Sequence, residues 1–155
     1  MQHKNAAKRQ RSIEGAGMRE FTVYHEPVGQ PRHRISTHGK HARMYLPTKH
    51  PVHAFKRAVQ AEFGKQVPFH EAVEIVVNAW FPRPKSKTWK TKPMPSYRHI
   101  KKPDADNVLK AVLDALNGLA WVDDAQVFSA TVRKFVCGGD DLPRCEVVIR
   151  GVSET

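Results

Sequence analysis

Apolar positions along this chain switch between the period of a strand and the period of a helix, and each switch marks an element. Residues 21–24 are Phe, Thr, Val and Tyr in sequence, which has strand character. A Pro/Gly turn follows at Pro27, Gly29 and Pro31. A short strand is predicted at residues 44–46. Phe55, Val59 and Phe63 then recur at a spacing of four residues, behind Pro51 and ahead of Gly64. That pattern predicts an amphipathic helix over 51–64, with Pro51 in the first helical position and Gly64 as its stop. Residues 73–81 read as a strand buried on both faces near its centre. Residues 82–103 contain Pro82, Pro84, Pro93, Pro95 and Pro103, so they form a loop. Residues 106–116 return to helical spacing, with Val108, Leu109, Val112, Leu113 and Leu116 as the apolar face. Residues 127–136 and 145–149 read as two final strands joined across the Gly138-Gly139 turn. Residues 1–17 are polar and basic with no apolar period, and are expected to be a disordered tail. Residues 18–155 then make one small α+β domain, a mixed β-sheet with two main α-helices.

Charge narrows the function. The 155 residues carry a formal net charge of +11. Such an excess favours a polyanion: DNA, RNA or an acidic membrane surface. A membrane fits poorly, because no apolar run approaches the ~20 residues of a spanning helix. The basic start is not followed by an apolar stretch of the kind a signal peptide needs. Cys137 and Cys145 flank the Gly138-Gly139 turn and are placed to face each other across a hairpin. Two reduced thiols in a cytoplasmic protein is the expected state.

Against this basic background the acids concentrate. Asp104, Asp106, Asp114, Asp123 and Asp124 are five of the fifteen Asp and Glu residues. Like charges gathered this closely repel, and a divalent cation is the usual remedy. Asp104 and Asp106 fall on one side of an extended step. Asp106 is also a candidate cap for the helix that begins there. Lys110 and Asp114 follow at intervals of four, on the same stripe as Asp106. After the turn at Asn117-Gly118 the chain delivers Asp123-Asp124 just before a strand, and a turn-helix-turn of this length is expected to bring Asp124 back towards Asp104 and Asp106. Carboxylate oxygens suit Mg²⁺, and one or two such ions support phosphodiester hydrolysis. Lys110 is positioned to hydrogen-bond the scissile phosphate or the attacking water. The alternative is a solvated acidic helix face with Lys110 in salt bridges, since Asp-x-Asp alone is common.

The wider pattern is His99-Ile-Lys-Lys102-Pro103-Asp104-x-Asp106-Asn107-x-Leu109-Lys110, then Asp114-Ala-Leu-Asn117-Gly118, then Asp123-Asp124-x-Gln126. It resembles the RusA-type Holliday junction resolvases, small endonucleases of bacteria and phages. Gly29-Gln-Pro31-Arg32-x-Arg34 resembles the Pro- and Arg-rich turn after that family's first strand. The resemblance implies Asp104, Asp106 and Asp124 as metal ligands, with Asp123 as second choice. It implies Lys110 as the catalytic lysine, and Mg²⁺, or Mn²⁺ in its place, as the ion. It also implies a homodimer that nicks a four-way junction symmetrically, with no small-molecule cofactor. His99 belongs to the same pattern, either contacting phosphate, supporting a ligand carboxylate or serving structure.

Two acid-free basic stretches flank the carboxylates. Residues 27–57 hold seven Lys and Arg, including Arg32 and Arg34. Residues 82–102 hold eight: Arg83, Lys85, Lys87, Lys90, Lys92, Arg98, Lys101 and Lys102, with Trp89 and Tyr97 between them. Basic groups on a proline-stiffened loop suit contact with phosphate without base readout. Trp89 is placed to stack on an unpaired base. His33, His38, His41, His50 and His53 match no standard zinc spacing. The expected protein is a Mg²⁺-dependent endonuclease acting on four-way or branched DNA in a bacterial or phage-infected cytoplasm. The competing readings are a nuclease of broader branched-DNA range, a non-catalytic DNA-binding module, and a nucleotide-sugar transferase using Asp-x-Asp.

Overall fold

A computed structural model describes residues 17–154. The expected basic tail lies outside the described residues except for Gly17, whose carbonyl accepts a hydrogen bond from the Gly151 N–H at 2.9 Å. In chain order the elements are β1 (Met18–Val23), β2 (Arg34–Ser36), β3 (Arg43–Tyr45), α1 (Val52–Phe63) and β4 (Ala72–Phe81). They continue with β5 (Tyr97–Arg98), α2 (Ala105–Leu116), β6 (Val127–Val136) and β7 (Arg144–Val152). Five strands form one mixed sheet in the order β1-β7-β4-β6-β5, and β2 pairs with β3 as a separate ribbon. The α+β class and the two helices are as the sequence predicts.

Both helices lie on one side of the sheet. Burial alternates along β4: Val73, Ile75, Val77, Ala79 and Phe81 are buried, and the residues between them are half-buried. The expectation of two fully buried faces is therefore corrected. Val52, Phe55, Val59 and Phe63 of α1 pack on the buried face, with Val108, Ala111, Val112, Ala115 and Leu116 of α2. Among the described residues no helix covers the opposite face. There Trp80 stacks on Phe135 with ring centroids 4.5 Å apart, and Arg144 lies over the Trp80 ring.

The predicted hairpin of the last two strands does not form. β6 pairs with β4 in parallel and β7 pairs with β4 antiparallel, so β4 lies between them. The Gly138-Gly139 segment crosses two strand spacings, about 10 Å, instead of turning back on a neighbour. A short Gly turn between two strand patterns is a hairpin signal, but nothing local to it records that a third strand sits in between. The two cysteines are free and buried, and do not face each other across a ladder. Cys145 sits opposite Val23 on one side and Ala79 on the other. Burial pushes its thiol up to about 12.

Parallel neighbours need a crossover connection, and α2 supplies it between β4 and β6. The helix starts at Ala105, with Asp104 rather than Asp106 at the capping position. Asp106 lies in the first turn, where a negative charge complements the helix dipole. Among the described residues no helix is long and apolar enough to cross a membrane.

Phe55 is fully buried between the helices and the sheet. Phe55→Ala is expected to destabilise the fold by about 3–5 kcal/mol. Urea unfolding followed by circular dichroism measures this, and a loss below about 1 kcal/mol contradicts the packing described.

Candidate carboxylate centre and nucleic-acid interface

A loop held from behind by one lysine carries the first aspartate. β5 pairs briefly with β6, setting Tyr97 opposite Val136 and Arg98 opposite Phe135. The His99 N–H then donates to the Lys134 carbonyl at 3.0 Å. Lys134 faces Ala79 across the β4–β6 ladder, so its side chain leaves β6 on the helix-covered side. Its Nζ donates to the carbonyl of Lys101 at 2.7 Å and to that of Pro103 at 2.6 Å. It also lies 3.3 Å from His99 Nδ1. Residues 99–103 are thereby tied to the sheet just before Asp104, across a cis Lys102-Pro103 peptide. Burial holds the Lys134 ammonium below its ordinary pKa, and the Asp104 charge opposes that shift.

His99 belongs to this frame. Its ring stacks on Phe81 with centroids 4.1 Å apart and planes 18° from parallel. Burial, then Lys134 and Lys101, push its pKa below the usual histidine value. The neutral ring accepts from Lys134 through Nδ1, which leaves the proton on Nε2. Sequence reasoning missed Lys134. The available signal was a lysine at an inward position of β6, where Val132 and Val136 continue the apolar alternation.

Asp104 is exposed, and its carboxylate lies in a field of cations. Lys102 Nζ is 2.8 Å from both of its oxygens. That hydrogen bond holds the Asp104 pKa below the ordinary carboxylate value, and the charges of Lys102, Lys134 and Arg32 act the same way. An exposed ion pair of this kind is weak and exchangeable. Asp106 and Lys110 are exposed one turn apart on α2, as the spacing predicts. Asp114, on the same stripe, instead meets Lys56 of α1 at 3.4 Å. It lies ~12 Å along the helix from Asp106, so its role is to join the helices.

The front turn reaches this centre through a close backbone approach. The Gln30 N–H donates to the Asn107 carbonyl at 2.8 Å. A Cβ on Gly29 would lie 2.6 Å from Pro103 Cβ and 3.3 Å from Asn107 Cβ, so only glycine fits there. This docking places Arg32 beside Asp104 and opens a cleft of about 640 Å³. Gln30, Arg32, His50, Pro51, Lys102 and Asp104 are among the residues that line it.

The second aspartate pair is divided by role. Asp123 caps a single 3-10 turn, Asp124–Gln126: its Oδ1 accepts from the Ala125 N–H at 2.8 Å. Gln126 closes the same box, accepting from the N–H groups of Val122 and Asp123 at 2.9 Å each. Asp124 is not consumed by the turn. One of its oxygens accepts from the indole Nε1 of the fully buried Trp121 at 2.7 Å, which fixes its direction.

Asp124 does not return to Asp104 and Asp106 within one chain, which corrects that expectation. As a crossover helix, α2 runs from the end of β4 near Lys134 back to the start of β6. Its twelve residues span ~18 Å and separate the two acidic groups. Among the described residues no three His, Cys, Asp or Glu side chains stand close enough to hold one metal ion. The donor chemistry suits Mg²⁺, but one chain supplies only the Asp104/Asp106 part of the expected ligand set.

The basic loop after β4 has its own internal frame. Arg83 donates to the carbonyls of Lys87 at 2.6 Å and Pro95 at 2.9 Å, and lies over the rings of Trp89 and Tyr97. Trp89 is 37% exposed, with its Nε1 bonded to the Pro93 carbonyl. Arg83 is thus a staple, while Lys85, Lys90, Lys92, Arg98, Lys101 and Lys102 are exposed to solvent. Lys87 lies over the Tyr97 ring. Arg34 stands exposed on the β2–β3 ribbon. His50 and His53 pack at the start of α1, bonded to the Val52 N–H and the Pro47 carbonyl.

A family model described as Endodeoxyribonuclease RusA matches residues 25–150. The uncharacterized protein YqaN of Bacillus subtilis (strain 168) is 37% identical over 142 residues, covering 86% of this chain and 96% of that protein.

Two substitutions separate structure from site. Asp123→Ala is expected to cost about 0.5–2 kcal/mol through the lost cap while leaving DNA cleavage intact at permissive temperature. Gly29→Ala is expected to destabilise by about 1–3 kcal/mol and to impair cleavage at temperatures where the protein remains folded, because the turn must back away from Pro103. Thermal unfolding run beside a cleavage assay reports both. Full activity in Gly29→Ala contradicts the need for close docking.

Proposed function

This chain belongs to the endodeoxyribonuclease RusA family, and from that premise we propose that it resolves four-way DNA junctions by paired symmetric nicks. The reaction is hydrolysis of a phosphodiester in each of two strands, supported by a divalent cation, Mg²⁺ or Mn²⁺. The acting unit is a homodimer, whose two-fold symmetry matches that of a folded junction. It serves DNA recombination and repair in the cytoplasm of a bacterium or a phage-infected host.

The observation that carries this reading is an exposed Asp104/Asp106 pair at a helix start, with Lys102, Lys134 and Arg32 around Asp104, in a chain of net charge +11. Acidic groups in a basic surface suit a phosphate backbone better than an acidic or neutral small substrate. Each group has a definable task. Lys110, one turn beyond Asp106, reaches a phosphate oxygen at the reacting position. Arg32 and Lys102 hold the backbone on either side of it. The exposed lysines of the 82–102 segment track the arm beyond, and the half-exposed Trp89 offers a ring for an unpaired base at the branch. Lys134 and His99 keep the Asp104 loop in place without touching DNA.

The test is cleavage of a synthetic four-way junction beside a linear duplex of the same sequence, with Mg²⁺ and with EDTA. Paired nicks on the junction alone, lost in EDTA, are expected. Equal nicking of forks and flaps would replace junction resolution with the broader branched-DNA nuclease. Asp104→Asn is expected to lower cleavage by at least ~10³-fold while junction binding holds or tightens, since a repulsive charge has gone. Collapse of binding in that variant would make Asp104 structural. Affinity should fall steeply between 50 and 200 mM salt, as phosphate contacts require.

A further inference from the structure

We infer that the β2–β3 ribbon reads the branch point, its Ile35–Met44 pair stacking on the base-pair face left open where DNA arms meet. The inference rests on the nuclease reading above and adds where selectivity for branched over linear DNA comes from. Ile35 and Met44 are direct partners in the antiparallel ribbon, so both side chains stand on one face, with Cβ atoms ~5 Å apart. They are 66% and 70% exposed. The ribbon is a sheet of its own, apart from the five-stranded sheet and the core. A two-stranded ribbon is marginally stable by itself, and an apolar pair left in water adds little to folding. Its contribution comes when something covers it.

Charge identifies the occupant. The other face of the ribbon sets Arg34 opposite Tyr45 and Ser36 opposite Arg43. Arg34, Arg43 and Lys40, which lies in the turn between the strands, are exposed, and residues 27–57 contain no Asp or Glu. A second copy of a chain with net charge +11 is repelled by such a surface, whereas a phosphate backbone is drawn to it. The ribbon also begins at the carboxylate centre. The turn before it is docked there by the Gln30 N–H on the Asn107 carbonyl, and Arg32 lies close enough for its charge to act on Asp104. Ile35 is three residues past Arg32 and so within ~10 Å of it, which is about three base-pair steps of duplex. A nick placed by Asp104 therefore falls within a few base pairs of whatever the apolar pair touches.

The chemistry separates branched from linear DNA. Inside a linear duplex every base pair is stacked on both faces, and an apolar side chain enters only by unstacking a step. At a branch, the pairs that flank the crossing have one face without a neighbour, so Ile35 and Met44 are covered there without that cost. Isoleucine and methionine are among the side chains that proteins insert at base steps. Arg34, Lys40 and Arg43 hold phosphates on the flanks and add affinity for any DNA. The apolar pair adds affinity for the branch alone, so the preference is a difference between two binding energies.

The test compares the full-length wild type with the double variant Ile35→Thr/Met44→Thr, which keeps strand propensity and removes the apolar face. Binding is measured in EDTA, to a four-way junction with 2-aminopurine in a pair flanking the crossing and to a linear duplex of the same sequence. The double variant is expected to lose about 10- to 100-fold in junction affinity and little in duplex affinity. Its slope of log affinity against log salt should stay that of the wild type, because no phosphate contact is removed. The wild type should change the 2-aminopurine fluorescence, and the double variant should not. Ile35→Val/Met44→Leu, which keeps the face apolar, is expected to restore both readouts. Arg34→Gln is expected to weaken junction and duplex alike and to flatten the salt slope by about 0.9. Junction preference or the fluorescence change retained in the threonine variant overturns the inference. Equal loss on junction and duplex also overturns it, since the pair then only holds the ribbon together. A slower-sedimenting threonine variant overturns it in favour of a second copy as the cover. A wild type that binds junction and duplex alike refutes the proposed function and the ribbon with it, whereas a preference that survives the threonine substitutions refutes the ribbon alone.

Discussion

The parallel pairing of β4 with β6 governs the rest of this molecule. Parallel neighbours cannot be joined by a tight turn, so the chain must leave the end of β4 and return to the start of β6. The basic loop, the short β5 and α2 are that return path. The helix is amphipathic because it must lie on the sheet, and its buried residues meet the same face of β4 that α1 covers. Its exposed stripe is consequently turned to solvent, where Asp106 and Lys110 stand. The crossover also sets the two ends of α2 at opposite ends of the β4 and β6 strands. The geometry that exposes one pair of aspartates removes the third from them.

Electrostatics then explains how the exposed Asp104 carboxylate is held in a basic surface. Asp104 is surrounded by Lys102, Lys134 and Arg32, drawn from the loop before it, the strand behind it and the front turn. The three cations do different things. Lys102 is exposed and exchangeable. Arg32 is carried by a turn that docks only because Gly29 lets the backbone come close. Lys134 is committed to two carbonyls and a histidine, so it works as a fastener more than as a free charge. The net positive charge is thus partly structural at the centre and largely solvated on the loop outside it.

Secondary structure was largely legible in the sequence, because helical and strand periods are local properties of neighbouring side chains. The spacing of Phe55, Val59 and Phe63 located α1 within about a residue at each end. The stripe of Val108, Val112 and Leu116 located the inner face of α2. The concentration of aspartates in a basic chain, and the chemistry that combination serves, were legible for the same reason. Composition and spacing survive folding unchanged. The long Asp-Asp-Lys pattern also carried the family, which the match over residues 25–150 bears out.

What only the tertiary structure decided was which of those residues meet. The order β7-β4-β6 turned a predicted hairpin into two strands held apart by a third, because pairing partners are set by the whole sheet and not by the turn between them. Asp123 became a cap and Asp124 an oriented carboxylate, a choice made by Gln126 and by the buried Trp121. Lys134 became the support of the Asp104 loop, though it lies thirty residues away in a strand that reads as ordinary. Sequence alone determined the elements, the charge and the chemical repertoire, since each depends on residues close along the chain. Distances between the ends of a crossover helix depend on how distant strands pair, and no local pattern encodes that.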